Sequence, residues 1–221
     1  MPETPATDTG VAPTPVARGP ITVPGPRAVV AGWEVHTRRS SAALRLADAS
    51  PLAKVSLRAD GDGALGRRLG VRFRGSRRQD GVLVIGSGPG EWLFIGQPGT
   101  ASHIAERVRG LGGGEFVTVV DLTHGRALLR LTGREAARAL SKVCAVDLSD
   151  ALTPEGAAFR TSVAKVATDI VRDDAGGGTG EPSYLLHCER SAGQYLFECL
   201  LDAGTEFGIE PTGSDLDGGE A

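Results

Sequence analysis

The stretch Arg126–Val143, "RALLRLTGREAARALSKV", changes its hydrophobic pattern halfway along. Its first part, "RALLRL", is a short apolar run of the kind that forms a β-strand. Its second part starts with Thr132 and Glu135 at the spacing of a capping box, which predicts a helix N-terminus. Three apolar residues then recur at helical spacing: Ala136, Leu140 and Val143. The stretch therefore predicts a strand, a tight turn and a helix.

The same succession recurs at residues 91–111 and 184–203, where the last helix is predicted to open at Ser191 with Gln194 completing a second capping box. "GALGRRLG" predicts a short helix. Further strands are predicted by the runs "PLAKVSLRA", "VLVI", "FVTVVDL", "AFRTSVAKVATDIV" and "SYLLHCE". Many short strands with a few interspersed helices favour an α+β domain, in which helices lie against antiparallel or mixed sheets.

Residues 86–90, "GSGPG", pose a choice between a phosphate-binding loop and a turn. A phosphate loop needs a helix after the glycines, because the helix N-terminus supplies the oriented N–H donors. Here a second apolar run, "WLFI", follows instead, and no Lys-Ser/Thr pair comes after the glycines. We therefore predict a β-hairpin over Val82–Ile95.

Composition divides the chain into a central domain and two tails. Seven of the 13 prolines lie in the first 26 residues, a stretch without hydrophobic periodicity, and we predict a disordered Pro-rich tail over residues 1–40. Residues 41–208 are predicted to form a single α+β domain, and residues 209–221 an acidic disordered tail. A secretory signal and a membrane-length apolar run are both missing from the sequence, so we expect a soluble protein.

Candidate catalytic and metal-binding residues are sparse. The three cysteines are far apart, which argues against a zinc site or a disulfide framework and favours a reducing compartment, the cytoplasm. The four histidines form no H-x-H or H-E-x-x-H motif. Asp173 and Asp174 are adjacent but lie beside "AGGGTG", which is typical of a solvated turn. We expect no catalytic, cofactor-binding or metal-binding set in this chain.

One segment is rich in arginine. Six arginines fall between residues 67 and 78, and they include Arg74, Arg77 and Arg78. The net charge of −3 and the lack of interleaved aromatic residues give no reason to expect nucleic acid. The segment is either a solvated surface or a docking site for an acidic partner, since guanidinium groups suit bidentate contacts with carboxylates.

The chain resembles the gamma subunit of heterotetrameric sarcosine oxidase, most strongly over residues 119–174. Three stretches carry the resemblance: "SPLA" (50–53), "GPGEWLFIG" (88–96) and "DLTHGRALLRLTGREAARALSKVCAVDL" (121–148). Their order and spacing agree with the family over about residues 50–208. The departures are the arginine-rich segment, and Phe159 where the family commonly has cysteine.

The resemblance implies a folate-binding, aminomethyltransferase-like fold and a non-catalytic accessory role. In that family the gamma chain packs on the large alpha subunit, in a complex with beta and delta subunits. FAD, FMN, NAD and tetrahydrofolate are then expected in the partner subunits. The complex would demethylate sarcosine to glycine and pass the one-carbon unit to tetrahydrofolate. Trp92 and Tyr195 are candidate interface anchors, since aromatic residues dominate interface energies; the alternative is that both lie in the core.

A different class of function stays open, namely a free-standing folate-binding or one-carbon-transfer protein. Its candidate residue is Asp169, on the predicted strand "VATDIV", close to where aminomethyltransferases place an acidic folate contact. A carboxylate there could bind a pterin or orient a folate nitrogen.

Overall fold

A computed structural model describes residues 15–214. Its strands are, in chain order, β1 (Ala17–Arg18), β2 (Arg27–Val30), β3 (Trp33–His36), β4 (Arg45–Asp48), β5 (Ala53–Arg58), β6 (Ser76–Gln79), β7 (Val82–Gly88), β8 (Glu91–Gly96), β9 (Thr118–Asp121), β10 (Arg126–Thr132), β11 (Ala158–Val163), β12 (Val166–Arg172), β13 (Ser183–Glu189) and β14 (Glu210–Thr212). The α-helices are α1 (Ala64–Leu69), α2 (Ala101–Leu111), α3 (Ala136–Ser141) and α4 (Gly193–Gly204).

The strands form three sheets. A six-stranded sheet has the order β11-β12-β13-β10-β4-β14, and a five-stranded sheet has the order β6-β7-β8-β5-β9. Their pairings are antiparallel except for β14, which runs parallel to β4. The third sheet is small, with the order β1-β3-β2. The predicted α+β class with antiparallel or mixed sheets and packed helices is confirmed.

Three apolar clusters hold the two large sheets and four helices in layers. Helices α3 and α4 cover the outer face of the six-stranded sheet, where Leu129 and Leu186 are fully buried. Helices α1 and α2 cover the outer face of the five-stranded sheet. The third cluster joins the inner faces of the two sheets: Ala49, Leu83, Ile85, Leu93, Ile95, Leu128, Ala158, Val171 and Leu185. The order of layers is therefore helices, sheet, sheet, helices.

The predicted hairpin over Val82–Ile95 is confirmed, since β7 pairs with β8. Both of its runs are continuously apolar because both faces are covered: Val84 and Phe94 face helices α1 and α2, while Leu83 and Ile95 face the other sheet. Gly86 has a further role. A Cβ there would lie 2.1 Å from the Arg72 carbonyl oxygen, so glycine allows the preceding loop to cross the strand closely.

Both predicted capping boxes are wrong. Thr132 is the last residue of β10, and its hydroxyl lies 3.1 Å from that of Ser183 on the neighbouring strand. Helix α3 starts later, at Ala136, and no side chain caps it. At the second site α4 starts at Gly193, and the Gln194 side chain instead accepts a hydrogen bond from the Thr22 N–H at 2.7 Å. In both places the polar side chain pairs with a residue that is distant in sequence, and not with the start of the helix.

The predicted tails are shorter than expected. Residues 15–40, assigned to the disordered tail, contain the small sheet β1–β3, and Ile21 and Val23 lie in the core beside α4 and β10. The predicted acidic tail also starts too early, because Glu210–Thr212 form strand β14, which pairs with β4. The remaining residues assigned to the tails, 1–14 and 215–221, lie outside the described range.

Candidate functional site

The layer between the two large sheets is apolar at its centre and polar at both ends. Successive side chains of a strand point to opposite faces, so alternate residues of β10, β12 and β13 face the five-stranded sheet. The central ones are Leu128, Val171 and Leu185. Moving along the strands in one direction leads to Asp169 and His187, and in the other direction to Arg130 and Asp173. Each end is a candidate site.

The first end is a row of three side chains on adjacent strands. Arg160, Asp169 and His187 are direct cross-strand neighbours on β11, β12 and β13. The Arg160 guanidinium donates two hydrogen bonds to the Asp169 carboxylate, from Nε at 2.7 Å and from Nη2 at 3.0 Å. His187 Nδ1 lies 3.3 Å from Asp169 Oδ2, and the histidine side chain is only 5% exposed. Both Asp169 oxygens are therefore engaged within the chain.

Burial and hydrogen bonding set the protonation states of this row. Burial lowers the pKa of His187 despite the nearby Asp169 carboxylate. Burial by itself would raise the pKa of Asp169, but hydrogen bonds from His187 and Arg160 outweigh it, and the pKa is lowered. His187 is therefore neutral at physiological pH and Asp169 is charged. The carboxylate selects the tautomer in which Nδ1–H is the donor, so Nε2 carries the lone pair.

His187 forms part of the wall of a cavity of about 330 Å³ between the sheets. The other lining residues are Ser56, Arg58, Ser87, Glu91, Leu93, Thr118, Val120, Leu122, Arg126, Arg160 and Asp169. Nε2 of His187 is buried and has no hydrogen-bond partner. The cavity thus has a mainly polar lining, whereas His187 Nε2 is buried behind it. A folate that contacted Asp169 would share a carboxylate that Arg160 and His187 already engage, and that contact stays a prediction.

At the second end of the layer, a buried carboxylate joins two arginines. Asp173, whose side chain is 2% exposed, accepts hydrogen bonds from Arg78 Nε at 3.0 Å and Nη2 at 2.6 Å. Arg130 Nη2 donates to the same carboxylate at 2.9 Å, and Arg130 Nη1 donates to the Ser183 hydroxyl at 3.0 Å. The interpretation of Asp173 as part of a solvated turn is therefore wrong. No local signal reveals this cluster, since its members come from four different strands or strand ends.

The predicted interface residues fall into two groups. Trp92 lies in the core, where its indole N–H donates to the Val71 carbonyl at 2.8 Å, so it cannot anchor a partner. Arg78 holds Asp173 and is not a free docking group. By contrast, Tyr195 on α4 is about half exposed, and Arg74 and Arg77 are exposed at the edge of the five-stranded sheet. The last three stay candidates for a partner interface.

Lys54 is a fully buried cation near the cavity. Its ammonium donates to the carbonyl oxygens of Ser50 and Leu52, both at 2.7 Å. Burial lowers its pKa to about 8, and the carboxylates of Asp48 and Asp121 offset only part of that effect. In the sequence, the burial of Lys54 is indicated only by its position inside an apolar run.

Replacing Lys54 with Met should change how stability depends on pH. In the wild type the unfolded chain binds more protons than the folded chain between pH 8 and pH 10.5, because the folded pKa is depressed. Wild-type stability should therefore rise with pH across this window relative to Lys54→Met, by up to about 3 kcal/mol. Urea unfolding at several pH values measures the difference. Lys165→Met, at an exposed position, is the control and should give a flat difference, whereas a flat difference for Lys54→Met would contradict the prediction.

The part of the chain that the structure describes has neither a membrane-length helix nor a metal-ligand cluster. Of the helices in residues 15–214, none combines the length and the apolar composition that a membrane span requires. In the same part of the chain, no three side chains of His, Cys, Asp or Glu come together as ligands for a metal ion.

The layered arrangement defines an α+β protein of the aminomethyltransferase-like fold. Aminomethyltransferase T of the glycine cleavage system from Bartonella henselae superposes with a TM-score of 0.67 at 18% identity, over 86% of this chain and 56% of that one. The chain belongs to the family described as the GCVT N-terminal domain, whose model matches residues 72–216.

Two further relatives share more of the sequence. The chain is 33% identical over 132 residues to sarcosine oxidase subunit gamma from Corynebacterium sp. (strain P-1), which covers 60% of this chain and 61% of that protein. The chain thus spans about three fifths of the length of the sarcosine oxidase gamma subunits that it matches. A chain in the structure of heterotetrameric sarcosine oxidase from Corynebacterium sp. U-96 superposes with a TM-score of 0.65 at 26% identity, over 79% of this chain and 90% of that one.

Proposed function

We propose that this chain is the gamma subunit of a cytoplasmic heterotetrameric sarcosine oxidase, with an accessory rather than a catalytic role. The observation that carries the proposal is the superposition on a chain of such an oxidase, since it covers 90% of that chain with 26% identity. In this proposal the chain packs on the alpha subunit, with beta and delta completing the complex. FAD, FMN, NAD and tetrahydrofolate are bound by those partners. The complex oxidatively demethylates sarcosine and transfers the one-carbon unit to tetrahydrofolate.

An exposed basic surface supports association with an acidic partner. We call it the arginine surface and define it by Arg67, Arg72, Arg74 and Arg77, all of which are exposed. None of the ion pairs found in residues 15–214 involves Arg74 or Arg77. Phe73 lies between two of these arginines and is about half exposed, and a groove of about 800 Å³ opens beside it. Arginines around an exposed aromatic side chain are typical of interface anchors.

The proposal predicts assembly and a specific salt dependence. When the tagged chain is co-expressed with the alpha, beta and delta homologues from its own genome, a flavin-containing complex that oxidises sarcosine should co-purify with it.

The double variant Arg74→Ser/Arg77→Ser should associate with the partner subunits more slowly than the wild type at low salt. The difference in rate should shrink at high salt, because exposed charges are screened within about 8 Å at physiological ionic strength. Association rates at two salt concentrations measure this.

Arg78 is left unchanged in that variant because it holds the buried Asp173. Arg134→Ser/Arg138→Ser, which removes two exposed arginines beside and within α3, is the matched control and should associate at the wild-type rate. Equal rates for wild type and the Arg74/Arg77 variant would remove the arginine surface from the interface but leave the subunit assignment intact. Failure of the wild-type chain to enter any complex with these homologues would overturn the assignment itself.

A further inference from the structure

We propose that the free edge of strand β9 pairs with the same strand of a second copy of this chain, antiparallel and with a two-fold axis at Val119. β9 is the last strand of the five-stranded sheet, and its only strand neighbour among residues 15–214 is β5. An unpaired sheet edge presents a row of N–H and C=O groups to which another strand can bind. The inference concerns the chain by itself and does not depend on the proposed function.

The strand register shows which backbone groups point to the free edge. The odd-numbered residues of β5 bond to β8, since the Ala59 N–H donates to the Gly90 carbonyl at 3.0 Å. The even-numbered residues of β5 therefore bond to β9, and just beyond β9 the Leu122 N–H donates to the Lys54 carbonyl at 2.8 Å. Alternate residues of an antiparallel strand bond to opposite sides. The N–H and C=O groups that point away from β5 are consequently those of residues 117, 119 and 121.

The edge at β9 lacks the features that usually prevent strand pairing, which are charged side chains, proline or a very short strand. The other edges of the two large sheets have them: β6 carries two arginines, β11 carries Arg160, and β14 is three residues long with Pro211. By contrast, residues 116–120 read "FVTVV", a run of aromatic and β-branched side chains without charge or proline. Phe116 is 91% exposed and Val120 is 46% exposed, so this edge is both apolar and accessible.

A two-fold axis at Val119 brings the apolar side chains of the two copies together. Thr118 then lies opposite Val120 of the second copy, and Phe116 lies opposite Leu122. Side chains alternate along a strand, so these residues share the face towards the six-stranded sheet, where Thr118 and Val120 line the cavity. Phe116 of each copy can therefore cover Val120 and Leu122 of the other. The backbone pairs 119–119, 117–121 and 121–117 would add about six hydrogen bonds.

Charge complementarity favours a second copy over an unrelated strand. Arg109 on α2 lies beside the axis, with Nη2 at 3.5 Å from the Val119 carbonyl oxygen. The side chain of Asp121 is exposed, shares the face of Val119 and accepts one N–H, from Thr123 at 2.8 Å. In the antiparallel pair, Asp121 of the second copy comes to lie opposite Val117 on the side of α2, within reach of Arg109.

These two charges are available for such a contact. None of the ion pairs within residues 15–214 involves Arg109 or Asp121. Because the axis is two-fold, the contact occurs twice, once on each side of Val119. The same register thus pairs the backbone edges, the apolar face and the charges.

The first measurement is the mass of the full chain in solution, by sedimentation over a range of protein concentrations. We expect it to rise from one copy to two. Amide hydrogen exchange then locates the contact: the N–H groups of Val119 and Asp121 should exchange more slowly as the dimer forms. The Val120 N–H, which is bonded to β5 in either state, is the internal control and should not change. A chain that stays a single copy at every concentration would overturn the proposal and leave the edge to a strand of another protein.

A pair of charge variants tests the register. Asp121→Lys alone and Arg109→Glu alone each place like charges opposite each other, so each should raise the dissociation constant of its own dimer by about tenfold or more. In an equimolar mixture of the two variants, Arg109 of one chain meets Asp121 of the other, and the two introduced charges meet each other. The mixture should therefore recover the dissociation constant of the wild type, which misfolded chains would not do.

Asp202→Lys is the matched control, since it makes the same charge change at an exposed position on α4, in the opposite helix layer. This variant should dimerise like the wild type. If the mixture dimerised no more tightly than either charge variant alone, or if Asp202→Lys weakened the dimer as much as Asp121→Lys, the two copies would not meet at β9 and the proposal would fail.

Discussion

Asp173→Asn is expected to lower the free energy of unfolding by about 3–5 kcal/mol, because it removes the charge that two arginines share at the polar end of the inter-sheet layer. Arg130 is almost completely buried, so its guanidinium would lose a carboxylate with little water to replace it. Arg78 is 40% exposed and can turn towards solvent, which places the expected loss at the lower end of that range. Urea unfolding of the isolated chain measures the loss.

Asp80→Asn is the matched control for that variant. Asp80 also pairs with an arginine, Arg107, but at 3.5 Å and with a side chain that is 82% exposed. Exposed pairs of this kind contribute about 0–1 kcal/mol, so the control should stay close to the wild type. If the two variants lost equal stability, the Asp173 cluster would be no more than a surface charge pair.

Gly133→Ala is expected to cost about 4 kcal/mol, because a side chain at this position meets two separate penalties. The residue joins β10 to α3 with φ +140°, a conformation that L side chains rarely adopt, and a Cβ would lie 2.1 Å from the Ala43 carbonyl oxygen. Its N–H also donates to the Pro182 carbonyl at 2.9 Å, so the backbone cannot shift without losing that bond. Thermal and urea unfolding should agree on the loss.

Gly99→Ala separates the two penalties. Gly99 also has a positive φ, +79°, but nothing lies within 4 Å of a Cβ built there. This variant should therefore cost only the conformational term, about 1–2 kcal/mol. A similar loss in both glycine variants would show that close packing against Ala43 contributes nothing.

The strand and helix of Arg126–Val143 were predictable because their signals are local. "RALLRL" has four apolar residues out of six, and it becomes β10 with both faces covered, by helices α3 and α4 on one side and by the second sheet on the other. Ala136 and Leu140 share one face of α3, and both are fully buried. The hairpin at "GSGPG" was predictable for the same reason, since two apolar runs separated by turn residues pair with each other.

The helix start at Thr132 and the solvated turn at Asp173 were wrong for one common reason. Both predictions relied on neighbours in sequence, whereas the polar group in each case bonds to a distant segment. Thr132 meets Ser183, 51 positions away, and Asp173 meets Arg78, 95 positions away. The sequence identifies Asp169 only as a single acidic residue on a strand, whereas its pairing with Arg160 and His187 follows from the register of three strands.

The fold class, most of the strands and helices and the family resemblance follow from local sequence patterns, because hydrophobic period and turn residues act over a few positions. The places of the charged groups follow instead from how distant strands pair and stack. Antiparallel pairing fixes which residues of distant strands face each other, and stacking of two sheets decides which of those faces is buried. Asp173 and His187 are polar residues on faces that the second sheet covers, and that cover is set by segments far from either residue.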